Sequence, residues 1–407
     1  MPRLLLPNLL FEEELDSRVS SVSAAARRVV AELSPLMGLL STGGACDDVV
    51  VVPDNGVPED LPPALESVRF VTAKSVRRQC PDHAGFCPWG WSDEAVQFGR
   101  RMGLDFNAPD SNVVRHINSR EFLAPFDDCL ELVSKPQHFG TLCRSIDDVR
   151  TALSRFACDG HSGWVIKSSI SQAARSRLTG KSLPHTTAEL SWLQTRFDAG
   201  QTVYAEPWVD RLAECGLQFS VPPLNSGDAS VQFEGATELL TDEAGHFLGS
   251  VLPVTTEANE TNWWQPAIEH CRNIAEHARQ LGFFGAMGFD CMTFRSPSDR
   301  RVWLRSCHDI NGRITMGRIA LALRHFLQAG EFGIWCHCTM KSKATFENRL
   351  SGGDHSGIRI LPTSAGRVGG LPAKHRTALL ISDDRMPLIA AVRHLFGQQT
   401  RAPFANP

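Results

Sequence analysis

Two carboxylates, a carboxamide and a guanidinium recur at short spacing between Gly288 and Gly317, in the run GFDCMTFRSPSDRRVWLRSCHDINGRITMG. Asp290 lies in one strand-like stretch. After a polar turn, a second stretch from Arg301 to Cys307 delivers Asp309, Asn311 and Arg313 at alternate positions. In an extended chain residues i, i+2 and i+4 point to one face, so these three project together, and an antiparallel partner can set Asp290 beside them. Carboxylate and amide oxygens are hard ligands suited to Mg²⁺ that is also held by phosphate. A guanidinium on the same face supplies a fork for phosphate or carboxylate oxygens. A polar hairpin whose acids merely face solvent is the competing reading.

Upstream, the apolar run Trp164-Val165-Ile166 ends in Lys167-Ser168-Ser169, a lysine at a strand tip that reaches into the loop space above a sheet. Further along come Tyr204-Ala205-Glu206-Pro207-Trp208-Val209 and Glu214, with Gln218 four residues later. The order Arg120, Lys167, Glu206, Asp290, Asp309-x-Asn311-x-Arg313 resembles that of the ATP-grasp ligases, over residues 110 to 330. The resemblance implies that Asp290, Asp309 and Asn311 hold Mg²⁺ or Mn²⁺. It places Arg120 and Lys167 on the α/β-phosphates of ATP. It places Glu206 and the main chain at Trp208 and Val209 on the adenine, and Glu214 on the ribose, with Gln218 as its competitor. Arg313 would steady the transferring phosphoryl group or the acceptor carboxylate. Two features depart from the family pattern. Asp309 stands where the family has glutamate, about 1.5 Å shorter in reach. The flap from Ser168 to Gly180 has one glycine and carries Arg175 and Arg177 instead.

The elements that must position these residues are an α/β set followed by an α+β set. The chain has 407 residues, enough for several packed subdomains. Acids at 12 to 16 open a helix expected over residues 12 to 40, ended or kinked at Pro35. Val49 to Val52 and Val68 to Thr72 read as buried strands, and Ser92 as the cap of a helix to Met102. Helices follow at 145 to 157, with Ser145 as cap, at 187 to 199, 265 to 281 and 314 to 329. Strands are expected at 163 to 167, 202 to 206, 215 to 221, 358 to 362 and 377 to 382, with a last helix near 386 to 396. The expected organisation is an N-terminal α/β domain at 1–115 and two ATP-grasp subdomains at 116–200 and 201–345. The C-terminal strands and helix, 346–407, would pack on the ATP-grasp domain.

The charged fraction of 21% and the net charge of −4 give no reason to expect nucleic-acid binding. Apolar runs fall far short of a membrane span, and the N-terminus lacks a secretory pattern. Twelve cysteines without a CxxC pair read as reduced thiols of a cytoplasmic protein, Cys336-His337-Cys338 included. Trp89 and Trp91, flanking Gly90, read either as pins of their loop or as a ligand-facing wall. Together with residues 257 to 264 they are the places to look for substrate contacts. His116 and His308 are candidate bases, although strict alternation turns His308 away from Asp309.

By resemblance, the chain activates a carboxylate as an acylphosphate at the expense of ATP, for attack by an amine or a similar nucleophile. Two alternatives remain open: a nucleotide-binding protein without ligase activity, and a phosphotransferase acting on a non-carboxylate acceptor. A homodimer is the default assembly for a soluble enzyme.

Overall fold

The computed structural model describes residues 2–16, 22–41, 47–80, 84–131, 137–170, 177–227, 229–252, 264–339, 346, 357–397 and 400. The chain forms two compact units. One comprises Met1–Ser111, Gly235–Thr255 and Arg313–Phe404, and the other Asn112–Glu234, Thr256–Gly312 and Ala405–Pro407.

The first unit begins with a parallel sheet in the order Arg69–Thr72, Val49–Val52, Arg3–Leu6, Gly85–Pro88. All four valines of Val49–Val52 are buried, as befits a strand covered on both faces. The helix Asp93–Met102 starts where Ser92 accepts from the Ala95 N–H and ends at Gly103, whose φ of 80° is left-handed. The single helix expected over 12 to 40 is instead Phe11–Leu15, Ala24–Leu33 and a 3-10 segment Ser34–Ser41. Pro35 has no N–H to continue the α-helical ladder, so the chain tightens there.

The same unit also holds an antiparallel set in the order Arg359–Pro362, His375–Ser382, Phe332–Thr339, Phe247–Leu252. The helix Arg385–Phe396 buries Leu388, Val392 and Leu395 against Ile334, Cys336, Cys338 and Leu380 on one face of it. Trp335 and His337 occupy the other face. Trp335 Nε1 donates to Thr363 Oγ1 at 2.8 Å. The His337 ring stands edge-on to Trp335, with centroids 4.2 Å apart, and to Phe247 at 5.0 Å. Its Nε2 is sealed from solvent without a hydrogen-bond partner among the described residues.

The second unit contains two antiparallel sheets. The smaller runs Arg177–Gly180, Trp164–Ser168, Val203–Pro207, Thr141–Cys143. Val149, Leu153 and Phe156 of the helix Ile146–Cys158 pack against it, as does Leu193 of the helix Thr187–Asp198. Ser145 caps the first helix, and a reciprocal Thr186–Glu189 box caps the second. The larger sheet runs Asp210–Val221, Gly285–Arg295, Val302–Asn311, Asp128–Glu131, Gln137–His138. The helix Gln265–Gln280 covers it through Cys271, Ile274 and Ala275.

Gly140 lets Tyr204 pass close by, since a Cβ at that position would overlap the tyrosine ring and hydroxyl. Tyr204 is fully buried and its hydroxyl donates to Asp127, so it has nowhere to move. Gly140→Ala is therefore expected to cost about 1–3 kcal/mol of stability in denaturant unfolding.

Candidate functional site

Register across the larger sheet of the second unit sets three rows of facing residues. They are Glu214–Met292–Arg305, then Gly216–Asp290–Asp309, then Gln218–Gly288–Asn311. Rows two residues apart share a face, so Glu214, Gln218, Asp290, Arg305, Asp309 and Asn311 all project from the same side. Asp290 and Asp309 stand directly opposite each other, a like-charge pair that is unfavourable unless a cation compensates it. Asn311 Nδ2 donates to Asp290 Oδ2 at 3.3 Å. Arg120 meets Asp309 with both arms, Nη1 to Oδ1 at 2.8 Å and Nη2 to Oδ2 at 3.0 Å. Burial pushes the Asp309 carboxyl upward, but the Arg120 and Lys167 cations outweigh it and hold the group below its ordinary value. Arg120 is itself placed by the cap of its short helix Arg120–Leu123 and by its own N–H, which donates to the Ser169 carbonyl at 3.0 Å.

The smaller sheet supplies the second group. Lys167 Nζ lies 2.6 Å from Glu206 Oε1, the two strands being neighbours. Glu206 Oε2 accepts from Arg305 Nη2 at 2.5 Å, which ties the smaller sheet to the larger. Arg305 Nε also donates to Asp127 Oδ1 at 2.6 Å, and its guanidinium lies 4.5 Å from the centroid of the Phe139 ring. Burial raises the Glu206 carboxyl, yet Arg305 and Lys167 together hold it well below the usual carboxylate range. Both oxygens of Glu206 are thus engaged by protein cations, rather than turned freely toward a slot for adenine.

At the neighbouring hinge, the Trp208 N–H donates to Gly163 O at 2.9 Å, and Val209 O accepts from the Arg211 N–H at 3.0 Å. Arg211 in turn holds Glu214 through both carboxylate oxygens, at 2.9 and 3.1 Å.

A register shift between Asp290 and Met292 breaks the strict alternation of Val302–Asn311. Opposite this interval, Cys291 faces three residues, 306 to 308, and its Sγ donates to Ser306 O at 3.0 Å. His308 consequently comes under the charges of Arg305, Lys167, Glu214 and Glu206. Both of its ring nitrogens are sealed from solvent and lack hydrogen-bond partners among the described residues. Burial, then the Arg305 and Lys167 cations, pushes its pKa down to about 4.

Arg313 belongs to the first unit. Its Nε donates to Glu12 Oε1 at 2.6 Å, and its guanidinium lies 5.8 Å from the Trp89 ring centroid. The Ile314 N–H donates to Trp89 O at 2.8 Å, and the Trp89 N–H to Leu6 O at 2.7 Å. This loop follows Gly85–Pro88, where the order of the parallel sheet reverses beside Arg3–Leu6. Trp89 is only 5% exposed, and Trp91 packs on Phe86 and Phe106, so both tryptophans pin the loop. Arg175 and residues 257 to 263 lie outside the described residues.

Sequence reasoning missed Asp127, Tyr204 and Arg305. The available signal was Arg305 itself, a charge in the apolar stretch Val302-Trp303-Leu304 to Cys307, four residues before Asp309. Among the described residues no helix is long and apolar enough to cross a membrane.

The chain has the ATP-grasp fold, with an N-terminal domain ahead of it, as comparison with solved structures shows. An N5-carboxyaminoimidazole synthetase from Staphylococcus aureus superposes with a TM-score of 0.53 at 10% identity, over 97% of each chain. The ADP complex of the N5-carboxyaminoimidazole ribonucleotide synthetase PurK gives 0.55 at 11% identity, over 98% of this chain and 97% of that one. Biotin carboxylase from Campylobacter jejuni, as a β,γ-ATP complex, gives 0.54 at 11% identity, covering 98% and 91%. No protein-family model matches the sequence. No curated protein matches it either.

Proposed function

We propose that this chain is an ATP-dependent ligase that activates a carboxylate as an acylphosphate for attack by an amine or a similar nucleophile. The observation that carries the reading is the array on the larger sheet of the second unit, where Asp290 stands opposite Asp309 with Asn311 one row along. Two carboxylates and an amide oxygen are a donor set that fits a hard divalent cation, and such a cation would relieve the repulsion between the two acids. Mg²⁺ or Mn²⁺ held by Asp290, Asp309 and Asn311 would supply charge neutralisation at the β/γ-phosphates.

ATP would lie between the two sheets of that unit, with Lys167 and Arg120 on the α/β-phosphates and Glu214 on the ribose. The main chain at Trp208 and Val209 would meet the adenine. Glu206 would act there chiefly by holding Lys167, since its oxygens are committed to Lys167 and Arg305. Arg313 would serve the acceptor carboxylate from its seat on Glu12. No side-chain nucleophile is required, because positioning and electrostatics carry phosphoryl transfer. The division at residues 115, 200 and 345 and a cytoplasmic location belong to the same reading.

One observation favours a second reading, nucleotide binding without turnover: both Asp309 oxygens are taken by Arg120. A thermal-shift titration with ATP and ADP, with and without Mg²⁺, on the wild type and on Asp309→Asn separates them. At 100 times its Kd a bound nucleotide adds about 2.7 kcal/mol. Stabilisation that needs Mg²⁺ and shrinks in the variant is the expected result, and it leads to a screen of carboxylates and amines for ADP release. Stabilisation indifferent to metal and variant leaves binding alone. No stabilisation by either nucleotide overturns both readings.

A further inference from the structure

We propose that His308 is a specificity residue of the nucleotide site, hydrogen-bonding a ribose hydroxyl through its neutral ring. The inference rests on the ATP reading above and adds a residue to it. Three observations converge.

The register shift beside Asp290 frees His308 from strict alternation and brings it among the charged groups of the site face. Both ring nitrogens are shut off from water and unpaired among the described residues, a state that buried polar atoms rarely keep. The charged neighbours are already committed. Lys167 and Arg305 hold Glu206, and Arg211 holds Glu214. The partner the ring lacks is therefore supplied from outside the described protein atoms, by a ligand or an ordered water.

The chemistry narrows the ligand group. His308 feels both Lys167, which serves the phosphates in this reading, and Glu214, which serves the sugar, so it lies between those ends of a nucleotide. Arg305 and Lys167 beside it oppose a further positive charge, which disfavours an imidazolium gripping a phosphate. A neutral imidazole offers one donor and one acceptor, and a hydroxyl can answer either. The ribose edge is the nucleotide group that satisfies both conditions.

The test measures Kd values by calorimetry for ADP, 2′-deoxy-ADP and 3′-deoxy-ADP with Mg²⁺. The proteins are the full-length wild type, His308→Leu and His308→Asn. The wild type is expected to bind ADP about ten-fold tighter than one of the deoxy nucleotides, the loss of one useful hydrogen bond. His308→Leu should bind ADP about as weakly as that analogue and discriminate no longer, while His308→Asn, which keeps a donor and an acceptor, should discriminate still.

Full discrimination retained by His308→Leu would assign the contact to Glu214 or another group and overturn the proposal. Equal loss for all three nucleotides would make the ring a packing surface and overturn it too. So would a wild type indifferent to both hydroxyls, a result that needs no variant to fold. A wild type that binds no ADP at all sinks the nucleotide reading itself and this inference with it.

Discussion

Arg305→Met is expected to remove about 3–5 kcal/mol from the stability of the second unit, measured by denaturant unfolding. Arg305 is 1% exposed and neutralises two buried acids, Asp127 and Glu206. Methionine fills much of its volume but leaves those carboxylates in a poorly hydrated interior. Glu206 would keep Lys167 and Asp127 would keep the Tyr204 hydroxyl, so the loss is partial. The cost comes from stranded charge more than from lost attraction, because a well-packed apolar replacement of a whole ion cluster is often neutral. The triple variant Arg305→Met, Asp127→Asn, Glu206→Gln should accordingly recover most of what the single variant loses. A single variant within about 1 kcal/mol of wild type would show that the two acids are protonated or hydrated in the folded protein, and the account of the cluster would be wrong.

That cluster also marks where the sequence stops being informative. The spacing of Asp309 and Asn311 was legible because a strand has a period of two, and Asp290 opposite Asp309 needed only one antiparallel neighbour. Ser92 and Ser145 were legible as caps because a cap is satisfied within three residues. Arg305 meets Asp127 across 178 positions and Glu206 across 99, and no local period encodes such pairings. Arg313 reaches Glu12 across 301. The same limit applies to His308. Alternation is a sound rule for a regular strand, but the register shift beside Asp290 is a two-strand property that a one-strand pattern does not reveal. Glu206 shows a further limit: its residue type and place in the chain suggested a base contact, whereas its partners, set by tertiary packing, are two cations.

Acid should destabilise the first unit through His337 before its carboxylates begin to protonate, and His337→Phe should remove that sensitivity. An unfolded imidazole titrates near 6.5, whereas burial, with His375 nearby, pushes His337 down to about 3. Between those values the unfolded chain holds a proton that the folded chain lacks. Stability therefore falls as pH falls below 6.5, and the loss is complete only below about 3. One proton corresponds to a slope of about 1.4 kcal/mol per pH unit, and the full interval to about 4–5 kcal/mol.

The groups facing the ring are the apolar faces of Trp335 and Phe247, and His375, which Glu32 holds at 2.6 Å. None of them offers the sealed Nε2 an acceptor for a second proton. Phenylalanine keeps the edge-on ring contacts and has nothing to protonate. Unfolding free energies from pH 6.5 to 4.5 should thus show a slope shallower by about 1.4 kcal/mol per unit in His337→Phe than in the wild type. Below that window the two curves should run parallel in their carboxylate-driven part, since Glu32 is untouched. Identical slopes above pH 4.5 would mean that His337 takes up its proton in the folded state, and the sealed, neutral ring would have to be given up.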